Sequence, residues 1–398
     1  MKVTVYPSSP KGEVSAIASK SMAHRLLICG AMTEGVTRIR CATTSDDIEA
    51  TISCLRSMGS NIVKIGNYYL VPKVKVHAGQ SVTLDCNESG TTLRFMMCIA
   101  AGLGLCARFK GSDRLFERPL SPLEEVLTDH GIVISRDTSG RIIQSGRAFG
   151  TDYTISGDVS SQFISGLLMM LPLCGGKTLT VTGDFESKSY VDLTVSALKT
   201  ADLTVNKEDR TYTVTGRFDM RDCSVEGDWS NSAYWYVLKA LGADVKVTGL
   251  SVKSAQGDKA ISEHLENLGG EIGVSNTPDL VPALAVAATF YKGETKITGA
   301  ARLRLKESDR IESVTKTINA LGGSCEATDD SLIIKGKEKL SGGVVNSFND
   351  HRIVMAAAIA GVYCESLVVI NDAEAVNKSY PTFFEDLKSL GVKIEVEE

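Results

Sequence analysis

Glu88-Ser89-Gly90-Thr91-Thr92-Leu93-Arg94-Phe95 runs straight into the apolar stretch Met96 to Leu105. A short polar, glycine-containing segment feeding a hydrophobic body is the signature of a buried helix, with Ser89 as its N-cap. The unpaired N–H groups of such a start, the hydroxyls beside them and the positive end of the helix dipole together attract an anion. Arg94 lies early in the same helix, where a cation opposes the dipole at a cost of roughly a few tenths of a kcal/mol. That placement makes sense where a bound anion resolves the repulsion.

The device recurs along the chain. Lys20-Ser21-Met22-Ala23-His24-Arg25 opens an apolar run to Met32, and Ser160-Ser161-Gln162-Phe163 opens one ending at Gly175-Gly176. Asp228-Trp229-Ser230-Asn231-Ser232 precedes Ala233 to Gly242, Asp279 starts Leu280 to Tyr291, and Asn349-Asp350-His351-Arg352 starts Ile353 to Val362. Bodies this apolar are expected to be buried on most sides. After each comes a strand, such as Cys106 to Lys110 or Thr178 to Thr182, then an amphipathic helix, a short turn and another strand. The phrase Leu127-Thr128-Asp129-His130-Gly131 before Ile132-Val133-Ile134 is one instance, and Leu387-Lys388-Ser389-Leu390-Gly391 before Val392-Lys393-Ile394 is another.

Six such units divide as three and three, giving an α/β (α+β) chain of two globular domains. The spacing shortens between the fourth and fifth copies, so the fourth unit is expected to lack a piece. The first strand, Lys2 to Tyr6, has no helix before it and is expected to close the last unit. On this phase one domain is 19–226 and the other is 1–18 plus 227–398.

Composition narrows the function. Across 398 residues, 43% are hydrophobic and 23% charged, with a formal net charge of -5, so no broad basic field exists for wrapping nucleic acid. The 10 cysteines show neither C-x-x-C nor zinc spacing and are expected to be reduced. Met1 to Pro7 alternates like a strand and is unlike a signal peptide. No apolar run is long enough to span a bilayer, the longest being interrupted by Pro172, so a cytoplasmic protein is expected. No Walker sequence and no early G-x-G-x-x-G occur; Gly102-Leu103-Gly104 reads as a helix terminator.

Positive charge is local instead. Lys20, Arg25, Arg94, Arg118, Arg310, Arg352 and Lys378 all fall at helix starts or in the loops expected beside them. Any one reads equally as a solvent-facing cation; the set reads as an anion site. Ser160, Ser161 and Gln162 offer hydroxyls and an amide, as does Ser187-Lys188-Ser189-Tyr190. Asp279 and Glu307, the latter beside Lys306, are the acid/base candidates, although Asp at a helix start is commonly only a cap. His24, His77, His130 and His264 have no matching partners and read as structural or surface residues.

These motifs, in this order and over essentially the whole length, resemble the 5-enolpyruvylshikimate-3-phosphate synthase family. The carrying stretches are Ser19-Lys20-Ser21 with Arg25, Ser89-Gly90-Thr91-Thr92-Leu93-Arg94, and Asp113-Arg114 through Glu117-Arg118-Pro119. Ser160-Ser161-Gln162-Phe163, Ser187-Lys188-Ser189-Tyr190, Glu226-Gly227-Asp228, Lys306 to Arg310, Asn349 to Arg352 and Asn377-Lys378-Ser379 complete them. The resemblance implies a two-domain inside-out α/β barrel of six βαβαββ units, with the active site in the interdomain cleft. It also implies transfer of the enolpyruvyl group of phosphoenolpyruvate to the 5-hydroxyl of shikimate 3-phosphate, without a metal or cofactor, by a monomer.

On this resemblance, shikimate 3-phosphate falls to Lys20, Ser21, Arg25, Ser160, Ser161, Gln162, Ser187, Asp279 and Lys306. Its phosphate sits on Ser160, Ser161 and Ser187. Phosphoenolpyruvate falls to Lys20, Gly90, Arg118, Gln162, Arg310, Arg352 and Lys378, with Arg310 and Arg352 as fork donors to the carboxylate. Asp279 is then the base at the hydroxyl, with Glu307 and Lys20 serving the other proton transfers. Three positions depart from the family pattern: Glu88 and Arg302, both where Asn is often found, and Phe95 for a frequent Pro.

Three rivals are weighed against this reading. The sister enzyme acting on UDP-N-acetylglucosamine uses a Lys-Asn pair and a loop cysteine, whereas this chain has Lys20-Ser21 and no cysteine in Gly111 to Pro119. A non-catalytic anion-binding protein has no need of paired acid/base candidates. A nucleic-acid clamp is disfavoured by net charge and the lack of aromatic platforms.

Overall fold

The computed structural model describes residues 1–397. They form two compact units, Ala18–Glu226 and Met1–Ile17 with Gly227 onward.

The middle sheet of Ala18–Glu226 shows the repeat in full. Strands Ser81–Asp85 and Cys106–Lys110 run parallel, Ile142–Ser145 pairs antiparallel with Cys106–Lys110, and Val133–Arg136 pairs with Ile142–Ser145. A parallel pair needs a long crossover, supplied by the helix Gly90–Leu103. Val82 and Leu84 point inward while Ser81, Thr83 and Asp85 face out, so one face covers the helix and the other meets water. Thr178–Thr182 lies in the same way between Asp152–Ser156 and Thr211–Thr215, with Thr204–Glu208 at the edge. The first sheet takes its leading strand from the far end of the unit: Asp222–Ser224 pairs parallel with Val36–Arg40.

The other unit repeats the pattern with two complete sheets, of which the first is Glu271–Gly273, Glu294–Thr298, Leu332–Lys335 and Ser324–Ala327. In the last sheet Lys2–Val5 lies antiparallel between Val368–Asn371 and Ile394–Glu397. The fourth copy is the short one. Lys11–Ser15 pairs only with Asp244–Thr248, and the closing hairpin is missing.

The layout is inside-out, with the apolar helices innermost in each unit. Every residue of Val281–Thr289 is buried, and so is every residue of His351–Tyr363 except Tyr363 itself. Within Ala18–Glu226 the helices Gly90–Leu103 and Ser161–Cys174 approach closely because small residues face the contact. A Cβ on Gly166 would stand 2.7 Å from Cys98 Sγ, and one on Gly102 3.0 Å from Met170 Cγ. Pro172 does not break its helix, which continues to Cys174. So near the end the proline removes one N–H and disturbs only the last turn. Among the described residues no helix is long and apolar enough to cross a membrane, and the cysteines are free.

Candidate active site

In Ala18–Glu226 the three buried helices begin at Ser19, Ser89 and Ser160. Each is an N-cap whose hydroxyl accepts a backbone N–H, from Met22, Thr92 and Gln162 respectively. Lys20 is the first residue of its helix and its ammonium bonds Asp47 Oδ2 at 2.8 Å. Arg25 lies one turn deeper and is fully enclosed. It donates to Thr194 Oγ1 at 2.7 Å, Ser21 O at 2.6 Å, Tyr190 O at 2.9 Å and Ser165 Oγ at 3.3 Å, so one guanidinium ties three helices together. Burial lowers its pKa to about 10, which leaves it charged at neutral pH. Phe95, one of the departures from the family pattern, lies under this guanidinium with its ring centroid 5.1 Å away, a cation–π contact.

Arg94 and Arg118 converge on Gly90. A Cβ on Gly90 would stand 2.5 Å from Nη1 of each, so the missing side chain is the space the two guanidinium groups use. Arg94 donates to Gly90 O at 3.2 Å, Pro119 O at 3.2 Å and Gln162 Oε1 at 3.1 Å. Gln162 in turn donates to Thr91 Oγ1 at 2.8 Å, which fixes both ends of its amide. Ser160, Ser161 and Gln162 stand together at one helix start. Ser187 is buried in the left-handed region at φ 51, and its hydroxyl does not cap the helix Lys188–Thr200. A non-glycine residue held there costs about 1–3 kcal/mol and is a feature of functional sites.

In the other unit the cations are wrapped in carboxylates. Asp279 accepts from Arg310 Nη1 at 2.7 Å, Lys306 Nζ at 3.3 Å and Arg352 Nη2 at 3.2 Å. Arg310, 1% exposed, also donates through Nε to Asp350 at 2.7 Å and through Nη2 to Glu307 at 2.6 Å. Burial works against its charge, but Asp350, Glu307 and Asp279 outweigh that and push its pKa up. Lys306 moves the other way: burial lowers its pKa, with Asp279 partly offsetting the shift. Asp350 is the N-cap of His351–Tyr363 as well as the counter-ion of Arg310. Lys378 donates to Asn349 O at 2.6 Å, beside that cap.

Thus Asp279, Lys306, Glu307, Arg310 and Arg352 meet in one network, with Lys378 at its edge. Gly90, Arg118, Gln162 and Arg94 meet in another, and Arg25 joins Ser21 O to Tyr190 O. One expectation needs correcting. Asp279 does not begin the fifth helix but sits in the 3-10 turn Pro278–Leu280 ahead of it, where its oxygens face cations instead of backbone N–H groups. Arg310 carries three carboxylate partners of its own, Asp279, Glu307 and Asp350. Sequence reasoning singled out the helix start Asn349-Asp350-His351-Arg352 without giving Asp350 a partner, and missed Asp47. The Asp in Asn349-Asp350-His351-Arg352 was visible, but nothing local links Asp47 to Lys20.

The EPSP synthase (3-phosphoshikimate 1-carboxyvinyltransferase) family profile matches residues 6–277 and 269–387. A 3-phosphoshikimate 1-carboxyvinyltransferase of Clostridium kluyveri is 39% identical, covering 99% of this chain and 98% of its own. The chain belongs to the EPSP synthase family. Another family member, from Clostridioides difficile, is 37% identical over 98% of both chains. The crystallographic EPSP synthase of Acinetobacter baumannii superposes with a TM-score of 0.82 at 25% identity, covering 100% of both. The enolpyruvyl transferase NikO from Streptomyces tendae shares the fold, with a TM-score of 0.79 at 16% identity. For an EPSP synthase family member, cationic helix starts on a chain of net negative charge are what two anionic substrates require.

Proposed function

We propose that this chain transfers the enolpyruvyl group of phosphoenolpyruvate to the 5-hydroxyl of shikimate 3-phosphate, releasing phosphate, as a cytoplasmic monomer. Family membership supports the reaction. The observation that carries the site is the Asp279 carboxylate bonded by Lys306, Arg310 and Arg352. A carboxylate among three cations is favoured in its ionised form, which a general base needs.

Asp279 takes the proton of the 5-hydroxyl as that oxygen attacks the central carbon of phosphoenolpyruvate. The methylene carbon gains a proton from Glu307 or Lys20, giving a tetrahedral adduct. Loss of phosphate with return of a methyl proton then restores the carbon–carbon double bond in the product. Ser160, Ser161 and Ser187 hold the shikimate 3-phosphate phosphate, with Ser21, Arg25, Gln162, Lys20 and Lys306 around the rest of that molecule. Arg118 and Lys378 hold the phosphoenolpyruvate phosphate, Arg310 and Arg352 its carboxylate, and Gly90, Gln162 and Lys20 complete its contacts. Because Arg310 carries its own carboxylates, substrate binding at this residue is an exchange of one anion for another.

The test is phosphate release from phosphoenolpyruvate with shikimate 3-phosphate and, separately, with UDP-N-acetylglucosamine. Release with the first acceptor alone is expected; folded protein that releases phosphate with neither is not this enzyme. Arg118→Ala should raise the phosphoenolpyruvate concentration needed for turnover, whereas Lys388→Ala, on an exposed helix face, should not.

A further inference from the structure

The helix Trp229–Ala240 opens the short fourth unit and carries no charged residue before Lys239. It has no cation near its start to offer an anion, and none of its residues has a role in the chemistry above. That start is nonetheless firmly held. Asp228 accepts the Asn231 N–H at 2.8 Å, and Gln256 accepts the Trp229 N–H at 3.0 Å while donating to Gly227 O at 2.8 Å. Ser230 and Tyr234 lie four residues apart, on one side of the helix, and both reach the same residue. Ser230 Oγ accepts from Arg352 Nη2 at 2.8 Å, and the Tyr234 hydroxyl donates to Arg352 O at 2.9 Å. Both residues are buried, Tyr234 wholly so. Burial raises the Tyr234 pKa, and the phenol keeps the proton it donates.

We propose that Ser230 and Tyr234 are positioning residues that hold Arg352 by its guanidinium and by its backbone, aiming it at the carboxylate of phosphoenolpyruvate. The proposal rests on the assignment of Arg352 to that substrate. Arg352 stands in the first turn of its helix, where the dipole repels a cation, so its place depends on what grips it. Asp279 bonds the same Nη2 at 3.2 Å, but in the proposed reaction that carboxylate serves the 5-hydroxyl. A carboxylate partner also competes with the substrate carboxylate for the guanidinium. The serine hydroxyl does neither. It fixes one N–H without neutralising the charge, and it can stay in place when the substrate arrives. Tyr234 adds a second fixed point, because it pins the backbone from which the side chain sets out.

The experiment compares Ser230→Ala and Tyr234→Phe by steady-state phosphate release, with thermal melting to confirm folding. Tyr234→Phe keeps the ring, which packs edge-on against Phe383 with centroids 6.3 Å apart. Ser230→Ala is expected to raise KM for phosphoenolpyruvate roughly tenfold, the worth of one hydrogen bond to a charged group. Tyr234→Phe, which loses a neutral bond, should raise it about threefold. In both, KM for shikimate 3-phosphate and kcat should stay within about twofold, a split that a general loosening of the fold would not produce. For Ser230→Ala, an unchanged KM for phosphoenolpyruvate, equal rises in both KM values or a fall in kcat alone would overturn the proposal. An unchanged KM in Tyr234→Phe would overturn its backbone half, and would overturn the whole if Ser230→Ala does not fold. Wild-type protein without turnover would instead remove the assigned activity.

Discussion

Arg25 and Arg310 are both buried guanidiniums early in a helix of a repeated unit, yet they are stabilised by different means. Arg25 donates to two hydroxyls and two backbone carbonyls and stacks on Phe95, and burial holds its pKa down. Arg310 is ringed by Asp279, Glu307 and Asp350, which hold its pKa up. The difference separates two ways of preparing for an anion. Neutral donors and acceptors leave positive charge in place for the ligand to neutralise. A carboxylate ring neutralises it beforehand, and in the proposed reaction also supplies the acid/base groups.

The largest effect should come from breaking the carboxylate ring at the group assigned to chemistry. Asp279→Ala is expected to lower kcat by about 10²–10⁴, the usual contribution of a general base. It also leaves Lys306, Arg310 and Arg352 with one fewer counter-ion. Stopped or steady-state phosphate release measures this, and a variant retaining more than a tenth of kcat would remove Asp279 as the base.

Stability gives the next test. Arg310→Met leaves Asp350, which is wholly buried, without its main charge partner, and should cost about 3–5 kcal/mol. Arg25→Met removes a charge whose partners are all neutral and should cost less, about 1–3 kcal/mol. Urea melting of both variants decides it, and an equal or larger loss for Arg25→Met would erase the distinction.

Gly90→Ala probes the neutral-lined region without removing a charge. The new methyl would meet Arg118 and Arg94 at 2.5 Å, and since both contacts are ends of flexible side chains the guanidiniums should shift and the helix should survive. Roughly a tenfold rise in KM for phosphoenolpyruvate with little change in melting temperature is expected. A large fall in stability instead would mean that the two arginines are held too rigidly to move.

Much of this architecture could be read from the chain itself, because repeated caps and apolar bodies are local signals. Ser89 ahead of Gly90–Leu103 and Ser160 ahead of Ser161–Cys174 needed nothing beyond their neighbours in sequence. The positions of the cations were local too. What the cations touch was not. Arg25 meets Thr194 across 169 positions, Arg310 meets Asp350 across 40 and Lys20 meets Asp47 across 27. No periodicity encodes those separations; the first two follow from packing one repeat against another and the third from packing two helices of one repeat. The 3-10 turn at Asp279 escaped for a related reason, since Pro278 and Asp279 make an equally good α-helix start on local grounds.

Acid should separate the two regions by the smallest margin, and in opposite directions. His24 is buried with Nδ1 2.7 Å from Thr51 Oγ1, and burial, then Lys20 and Arg25, push its pKa well below the usual value. An unfolded chain protonates this imidazole near pH ~6.5 while the fold keeps it neutral. Stability from this group is therefore whole above pH ~6.5 and declines as pH falls, by at most about 1.4 kcal/mol per pH unit. Asp258 has the opposite sign: its pKa is raised to about 6, so the fold binds a proton before the unfolded chain does. Its contribution grows as pH falls from about 6 towards roughly 4. Melting temperatures from pH 7 to 5 should thus fall less steeply in His24→Asn than in wild type, and more steeply in Asp258→Asn. Parallel curves for all three proteins would mean that neither buried group sets the acid response of its unit.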